Sequence, residues 1–171
     1  MVRKILSYPD PELKKISLAV EQIDDEVRQL AKDMAETMYA APGVGLAAPQ
    51  IGVLQRIVAI DTSAKDEPAD LIVAINPEII YAEGECCEEE GCLSVPEYYA
   101  DVKRHTKVII KGLSIDGEEQ QWEAEGLLAV AFQHEIDHLD GILFVDHISP
   151  LKRGIFRRKY KKIMMDKGSQ E

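Results

Sequence analysis

The sequence predicts an α+β protein with a single domain, in which antiparallel sheets pack around a buried helix and an amphipathic helix follows near the C-terminus. The length of 171 residues allows one domain with an ample core, and 46% of the residues are hydrophobic. Short runs rich in Ile and Val, bounded by turn residues, indicate strands. Residues 126–140 are apolar around much of the predicted helix, so we expect this helix to lie between sheets.

The first half of the chain predicts one helix and two strands. Asp24 is the predicted N-cap of a helix that runs to about Ala40 and has one apolar face. Pro42-Gly43 ends this helix, because proline breaks the hydrogen-bond ladder and glycine suits a turn. Residues 55–61 and 71–76 predict strands, with a loop between them.

The second half predicts a hairpin followed by the long apolar helix. Residues 107–115 and 118–125 have the pattern of two antiparallel strands around the turn Asp116-Gly117. Gly112 is an expected bulge, since a glycine inside a strand often marks one. The long helix then covers residues 126–140 and ends at Gly141.

The C-terminal segment is predicted to be a basic amphipathic helix over residues 150–167. Residues 150–171 contain eight Lys or Arg and two acidic residues, Asp166 and Glu171, so their net charge is +6. Since the whole chain has a net charge of −11, residues 1–149 have a net charge of −17. The acidic body is therefore not expected to bind DNA, whereas the tail could contact phosphate groups. The apolar residues of this helix are Leu151, Ile155, Phe156, Tyr160, Ile163 and Met164.

The end of the long helix, Gln133-His134-Glu135-Ile136-Asp137-His138, has the pattern of a metal-binding segment. His134 and His138 lie about 40° apart around the helix and one turn apart along it, so both imidazoles can reach one ion. Glu135 points about 100° away from His134, which suits a general base that takes a proton from activated water. A surface helix is the alternative, and the apolar run before His134 argues against it.

A catalytic metal site needs about three protein ligands, so a third ligand has to be found. One family of proteases extends the helix pattern to His-Glu-x-x-His-x-x-Gly-x-x-His. This chain matches it as far as Gly141, but Phe144 occupies the last position and cannot bind a metal. Cys92, in the segment Glu90-Gly91-Cys92-Leu93-Ser94, is the better candidate. The alternative to a metal ligand is that Cys92 is only a small buried side chain, as an isolated cysteine usually is.

Three segments, in matching order and spacing, resemble the motifs of the peptide deformylases. These enzymes remove the formyl group from the N-terminal methionine of new bacterial and organellar proteins. The resemblance extends from about Ile5 to the final helix. The three segments are Gly43-Val44-Gly45-Leu46-Ala47-Ala48-Pro49-Gln50, Glu90-Gly91-Cys92-Leu93-Ser94 and Gln133-His134-Glu135-Ile136-Asp137-His138.

The resemblance implies a role for each motif residue. Cys92, His134 and His138 would bind one divalent metal ion, and Glu135 would be the catalytic acid and base. Gln50 and the backbone N–H of Leu93 would form an oxyanion hole.

The resemblance also implies how the substrate binds. Gly43 and Gly45 let a backbone come close to a ligand, and in the family this segment pairs with the N-formyl-methionyl peptide as an added strand. Some members carry an arginine seven residues after the motif cysteine, where this chain has Tyr99. The candidates for the methionine pocket are Val44, Leu127, Val130 and Ala131. The alternative is that these residues are ordinary core positions.

The cofactor and the location follow from the family and from composition. Ferrous iron is the expected metal in the cell, while ligand softness also allows zinc, nickel or cobalt. The three cysteines, Cys86, Cys87 and Cys92, do not form a disulfide framework, and Cys86 and Cys87 are expected to be incidental thiols. The chain has neither a signal peptide nor a membrane span by its pattern, so we expect a cytoplasmic protein.

The sequence predicts a catalytic domain followed by a basic helix, and two other functions compete with deformylation. Residues 1–149 are the predicted catalytic domain, and residues 150–171 are a basic helix with a short tail that either belongs to that domain or is appended to it. Family members dock this helix on the ribosome, and a packing helix with a solvated basic face is the alternative. A zinc metalloprotease and an RNA-binding module with a vestigial site are the other functions to be tested.

Overall fold

The computed structural model describes residues 1–168, and the end of the predicted tail, residues 169–171, lies outside the described residues. The described part contains three α-helices and seven strands. The helices are α1 (Asp25–Ala40), α2 (Gly126–Leu139) and α3 (Pro150–Gly168). The strands are β1 (Gly45–Ala47), β2 (Ile57–Ile60), β3 (Ile72–Glu83), β4 (Cys86–Cys92), β5 (Val95–Arg104), β6 (Lys107–Leu113) and β7 (Glu119–Glu125).

The strands form two antiparallel sheets, with α2 between them. The larger sheet has the order β1-β2-β3-β6-β7, and the smaller sheet consists of β4 paired with β5. Ala129, Phe132 and Ile136 of α2 share one core with residues of the larger sheet. The other side of α2 carries His134 and His138, which contact β4. This confirms the prediction of an α+β fold with the polar helix motif buried between sheets.

The helix boundaries follow the local signals in the sequence. Asp24 caps α1 through a hydrogen bond from the Val27 N–H to its side chain at 3.0 Å. α1 buries Met34 and Met38 completely against the face of the larger sheet that is opposite α2. α2 ends before Gly141, whose φ of 74° lies in the left-handed region that favours glycine. Within residues 1–168, no helix has the length and apolar character needed to cross a membrane.

The predicted bulge lies on the neighbouring strand rather than at Gly112. Gly112 pairs regularly with Gln120 on β7, whereas β3 carries the irregularity between Ile75 and Glu78. A Cβ at Gly112 would lie 3.0 Å from the Ile75 carbonyl oxygen, so the glycine makes room for the bulge of its partner strand. Asn76, at a φ of 52°, is held there by two hydrogen bonds with the Val20 backbone.

Helix α3 is part of the packed protein, but it uses only some of its predicted apolar face. Phe156 and Tyr160 are each 2% exposed and share a core with residues from β5 and the N-terminal segment. Leu151 is 74% exposed, Ile155 39% and Met164 37%, so these three residues of the apolar face remain largely in contact with solvent. The physical reason is that α3 meets the rest of the chain along a narrow aromatic contact with Tyr8 and neighbouring rings.

Candidate functional site

A cavity of about 740 Å³ opens between β1 and the β4–β5 hairpin, with one wall formed by α2. Its lining brings together residues that are far apart in the sequence. His138 is the one predicted site residue that does not line it, and this side chain lies buried behind the cavity at 1% exposure. The predicted residues that line the cavity are Gly43, Val44, Gly45, Gln50, Cys92, Leu93, Leu127, Val130, Ala131, His134 and Glu135.

The three predicted metal ligands converge at the cavity floor. One ligand atom from each of Cys92, His134 and His138 lies within 4.8 Å of the others, and the Cys92 Sγ is 3.3 Å from the His138 Nε2. The two histidines are one helical turn apart on α2, as the spacing predicts. Cys92 ends β4 in a tight turn, where it pairs with Val95 of β5. Within residues 1–168, Cys86 and Cys87 do not belong to this cluster.

The electrostatics of the two histidines suit a cation. Burial lowers the pKa of His138 well below its usual value, which keeps this imidazole neutral and able to bind a metal. Burial also opposes charge on His134, but Glu135, Cys92 and Glu90 together raise the pKa of His134 well above its usual value. A positive charge is therefore favoured at this spot. One sulfur and two imidazole nitrogens form a donor set that fits iron, zinc, nickel or cobalt.

Glu135 faces the cavity and lies beside the cluster without joining it. It is 2% exposed, and its Oε1 lies 3.9 Å from the His134 Nε2. Its Oε2 has no hydrogen-bond partner among the described residues. Burial raises the pKa of Glu135 to about 7, so this carboxyl can gain or lose a proton near neutral pH. A Cβ at Gly45 would lie 2.9 Å from the Glu135 Oε2, so the glycine permits this close approach.

Gln50 is buried at 1% exposure in a short 3-10 helix, Ala48–Ile51, and is not a solvated side chain. Its Oε1 accepts a hydrogen bond from the Ala47 N–H at 2.9 Å, which fixes the orientation of the amide. Its Nε2 is then directed at the metal cluster, 3.1 Å from the Ser94 Oγ and 3.6 Å from the Cys92 Sγ. The amide therefore presents donor hydrogens at the cavity floor.

A buried charge network supports His134, and the sequence analysis missed it. The His134 Nδ1 lies 3.0 Å from the Glu90 Oε1, which leaves the Nε2 for a metal. Arg104 donates two hydrogen bonds to Glu90, at 2.8 and 2.9 Å, and a third to Asp137 at 2.7 Å. Burial raises the pKa of Glu90, but His134 and Arg104 outweigh it and hold that pKa below its usual value.

The network extends to the protein surface. Asp137 also contacts His147, whose Nε2 lies 2.7 Å from the Asp137 Oδ2. The sequence patterns gave no partner for His147. Two members of the network could have been found from the motifs, since Glu90 and Asp137 each lie within two residues of a predicted metal ligand. Their shared partner, Arg104, is 14 and 33 residues away from them and carries no local signal.

The geometry also explains why the extended protease pattern stops at Gly141. Phe144 is 1% exposed, and its ring stacks against the His134 ring with centroids 6.2 Å apart. An apolar ring therefore occupies the place where that pattern requires a third histidine.

The methionine-pocket candidates divide into two groups: Val130 and Ala131 are buried on α2, whereas Val44 and Leu127 are about half exposed.

Comparison with known protein families identifies a family that matches most of the chain. The family model described as polypeptide deformylase matches residues 2–154. A peptide deformylase of Syntrophobacter fumaroxidans is 52% identical over 158 residues, which cover 92% of this chain and 93% of that protein. A peptide deformylase of Thermodesulfovibrio yellowstonii is 53% identical over 160 residues, which cover 94% of this chain and 97% of that protein.

Solved structures show the same similarity in three dimensions. The crystal structure of a peptide deformylase from Legionella pneumophila superposes with a TM-score of 0.91 at 49% identity and covers 98% of both chains. A peptide deformylase from Ehrlichia chaffeensis, solved in complex with actinonin, superposes with a TM-score of 0.88 at 38% identity. That match covers 94% of this chain and 96% of the other.

Proposed function

This chain belongs to the polypeptide deformylase family, and on that premise we propose that Cys92, His134 and His138 hold the divalent metal ion on which the family depends. The protein is an enzyme that hydrolyses the N-formyl group of N-formylmethionine in newly made proteins and releases formate. The observation that carries the proposal is the convergence of three ligand atoms within 4.8 Å, beside a buried carboxylate oxygen that has no described partner.

The chain's own residues divide the chemical work between them. A divalent cation, when bound, supplies the Lewis acidity that makes water a nucleophile near neutral pH. Glu135 accepts the proton of the attacking water and donates a proton to the leaving amine, for which a pKa of about 7 is well suited. The Gln50 amide and the Leu93 N–H donate hydrogen bonds to the oxygen of the attacked formyl group.

The peptide substrate fits between the two sheets. β1 is an edge strand of the larger sheet, and β4 is an edge of the smaller one. The cavity lies between these edges, so an extended peptide can pair with the Gly43–Gly45 backbone as an added strand. The methionine side chain would lie against Leu127, Val130 and Ala131 of α2 and against Val44. Actinonin, present in the Ehrlichia chaffeensis structure, is expected to bind in this cavity.

A paired substrate assay tests the reaction. Protein purified without oxygen is incubated with formyl-Met-Ala-Ser and, separately, with unformylated Met-Ala-Ser, while formate and peptide fragments are measured. The expected result is formate from the first peptide and cleavage of no peptide bond in either. Cleavage of a peptide bond would instead support a metalloprotease, against which the buried Phe144 and the family match both argue.

Ferrous iron is the metal that we propose in the cell, with zinc, nickel and cobalt as replacements in vitro. Sulfur and imidazole ligands accept all four, and the affinity order favours the later metals regardless of physiology. Metal analysis of protein purified anaerobically from cells grown without added metal tests the identity. Iron at about one equivalent, together with loss of activity in air and an air-stable zinc form, is expected. Zinc as the main metal in fully active, air-stable protein would contradict it.

We further propose that the reaction takes place in the cytoplasm and that α3 contacts the ribosome surface there. Three free thiols suit a reducing compartment. The basic side chains of α3 are mostly exposed, and phosphate contacts of this kind weaken steeply with salt. Residues 150–168 are best treated as part of the catalytic domain, because Phe156 and Tyr160 are buried in a shared core.

Charge reversal, rather than truncation, tests ribosome binding, because truncation would remove buried side chains. The variant Arg157→Glu, Arg158→Glu, Lys161→Glu is compared with Lys32→Glu, Lys65→Glu, all at exposed positions. Only the α3 variant should lose salt-sensitive co-sedimentation with ribosomes, and both should deformylate soluble peptides normally. Equal sedimentation of all three proteins would leave α3 with a packing role alone.

A further inference from the structure

The start of β5 forms a wall of the substrate cavity and has an unusual backbone. Residues Pro96–Tyr99 line the cavity together with the Gly43–Gly45 segment. Glu97 has a φ of 67°, a left-handed conformation that side chains other than glycine adopt only when their surroundings impose it. The hydrogen-bonded register of β4 and β5 is also irregular between Glu90 and Cys92, opposite this segment. Contacts outside the hairpin must therefore help to hold the wall.

Helix α3 supplies one of those contacts, beside Phe144, whose ring centroid lies 6.3 Å from that of Tyr98. The Tyr98 ring packs on the Phe156 ring with centroids 4.6 Å apart, and Phe156 is 2% exposed. Phe156 packs in turn on Tyr8 at 5.2 Å and on Tyr160 at 5.4 Å. The Lys167 Nζ also lies 3.6 Å from the Glu97 carboxylate, but both side chains are about half exposed, so solvent weakens this pair. The ring contact with the buried Phe156 is the stronger link between α3 and the wall.

The two sides of the wall have different tasks. Tyr98 is directed at α3, whereas Tyr99 is 63% exposed and its ring lies against Gly91, where a Cβ would come within 2.6 Å of the ring. Neighbouring side chains on a strand point to opposite faces, so a shift of Tyr98 also shifts Glu97 and Tyr99 at the cavity. His134, His138 and Glu135, in contrast, are held by α2, and His134 is also anchored by Glu90, which Arg104 fixes; Cys92 lies at the end of β4 and pairs with Val95.

We propose that α3 positions the Pro96–Tyr99 wall of the substrate cavity through the contact between Phe156 and Tyr98, so that the packing of α3 sets the affinity for the peptide beyond its first residue. This inference rests on the proposed function, because it takes the cavity to hold a formylated peptide. Phe156 and Tyr98 act as positioning residues. Loss of their contact raises KM for a peptide that reaches the wall and leaves kcat unchanged, since Glu135, His134 and His138 are anchored on α2 and Cys92 is held by its pairing with Val95.

A comparison at one position supplies the main test. Tyr98→Phe keeps the ring contact, and Tyr98→Leu removes it. KM and kcat are measured for formyl-Met-Ala-Ser, which extends along the wall, and for formylmethionine amide, which does not. Tyr98→Leu should raise KM for the tripeptide about 3- to 10-fold, the range expected for one aromatic pair. Its kcat should stay within about twofold, and Tyr98→Phe should match the unmodified enzyme.

A double-mutant cycle shows whether the effect passes through α3. Phe156→Leu should raise the tripeptide KM as Tyr98→Leu does, and the double variant should be no worse than either single variant. Leu151→Ala, at an exposed position of the same helix, should leave KM unchanged. If Phe156→Leu does not fold by circular dichroism, the two Tyr98 variants decide the matter.

The outcomes separate this inference from the proposed function. A fall in kcat with KM unchanged, equal increases of KM for both substrates, or additive effects in the cycle would each overturn the role of α3. Absence of formate from both substrates with the unmodified, metal-loaded enzyme would instead overturn the proposed function. Hydrogen exchange at residues 97–99 adds a direct readout, since these amides should exchange faster in Tyr98→Leu and not in Tyr98→Phe.

Discussion

Replacing Glu135 with Gln should abolish most of the activity while it leaves the metal in place. The side chain lies beside the three candidate ligands without being one of them, and Gln has nearly the same shape. The amide cannot accept and return a proton, so kcat should fall by about 100- to 10,000-fold, the usual contribution of general acid–base catalysis. Metal content should remain that of the unmodified protein.

The same substitution should stabilise the metal-free protein at alkaline pH. Burial raises the pKa of Glu135 from 4.5 to about 7, so the folded protein favours the protonated carboxyl. The stability contributed by this raised pKa is fully present below about 4.5 and is lost as the pH rises through about 7. At about 1.36 kcal/mol per pH unit, the loss amounts to roughly 3 kcal/mol at pH 8, and a neutral Gln avoids it.

Three measurements decide between the outcomes for Glu135→Gln. Formate release gives kcat, metal analysis gives occupancy, and circular dichroism gives the melting temperature of metal-free protein at pH 5 and pH 8. The variant should melt roughly 6–12 °C above the unmodified protein at pH 8, with a much smaller difference at pH 5. Turnover near that of the unmodified protein at equal metal content would refute the proton-transfer role. An identical melting difference at both pH values would refute the raised pKa.

Three other substitutions test the metal centre, the network and the close approach of β1. Cys92→Ser should bind a first-row metal more weakly in equilibrium dialysis, since a hydroxyl is a poor anionic ligand; unchanged occupancy would remove Cys92 from the ligand set. Arg104→Met removes the guanidinium partner of the buried Glu90 and the partly buried Asp137 and should cost about 3–5 kcal/mol in urea unfolding. The exposed pair of Arg28 should cost at most about 0.5 kcal/mol in Arg28→Met, and equal losses would contradict the network argument. Gly45→Ala places a Cβ 2.9 Å from the Glu135 Oε2, so formate release should fall at unchanged metal content; full activity would show that β1 can move away.

The parts of the fold that local patterns specify were predicted correctly. The cap of α1 depends on Asp24, whose side chain accepts a hydrogen bond from the N–H three residues later. α2 ends two residues before Gly141, which has the left-handed conformation that favours glycine. The second strand was expected to end at Asn76, but β3 continues to Glu83. Asn76-Pro77 has the composition of a strand end, whereas its conformation is imposed by the Val20 backbone, 56 residues away.

The β4–β5 hairpin was not predicted from the sequence, because strand β4 is mostly exposed. Strand β4 contains the acidic run Glu88–Glu90, which has none of the alternation typical of a half-buried strand. Only Glu90 of that run is buried, and it is buried because Arg104 on the paired strand and His134 on α2 neutralise it. A charged side chain in a buried position is stable only with such partners, and their identities depend on the tertiary fold.

The polar side of α2 shows how the protein buries a reactive group without losing its fold. The Gln133 amide bonds to the His105 backbone and to the Ala129 carbonyl, and Asp137 bonds to Arg104. Buried polar groups usually have such partners, because an unpaired one is costly. On α2 the buried atoms without a described partner are the Glu135 Oε2 and the His138 Nδ1, both in the candidate site. The neighbouring bonds therefore hold α2 in place while the Glu135 Oε2 keeps no described hydrogen-bond partner, as an acid and base that must exchange protons with its substrate requires.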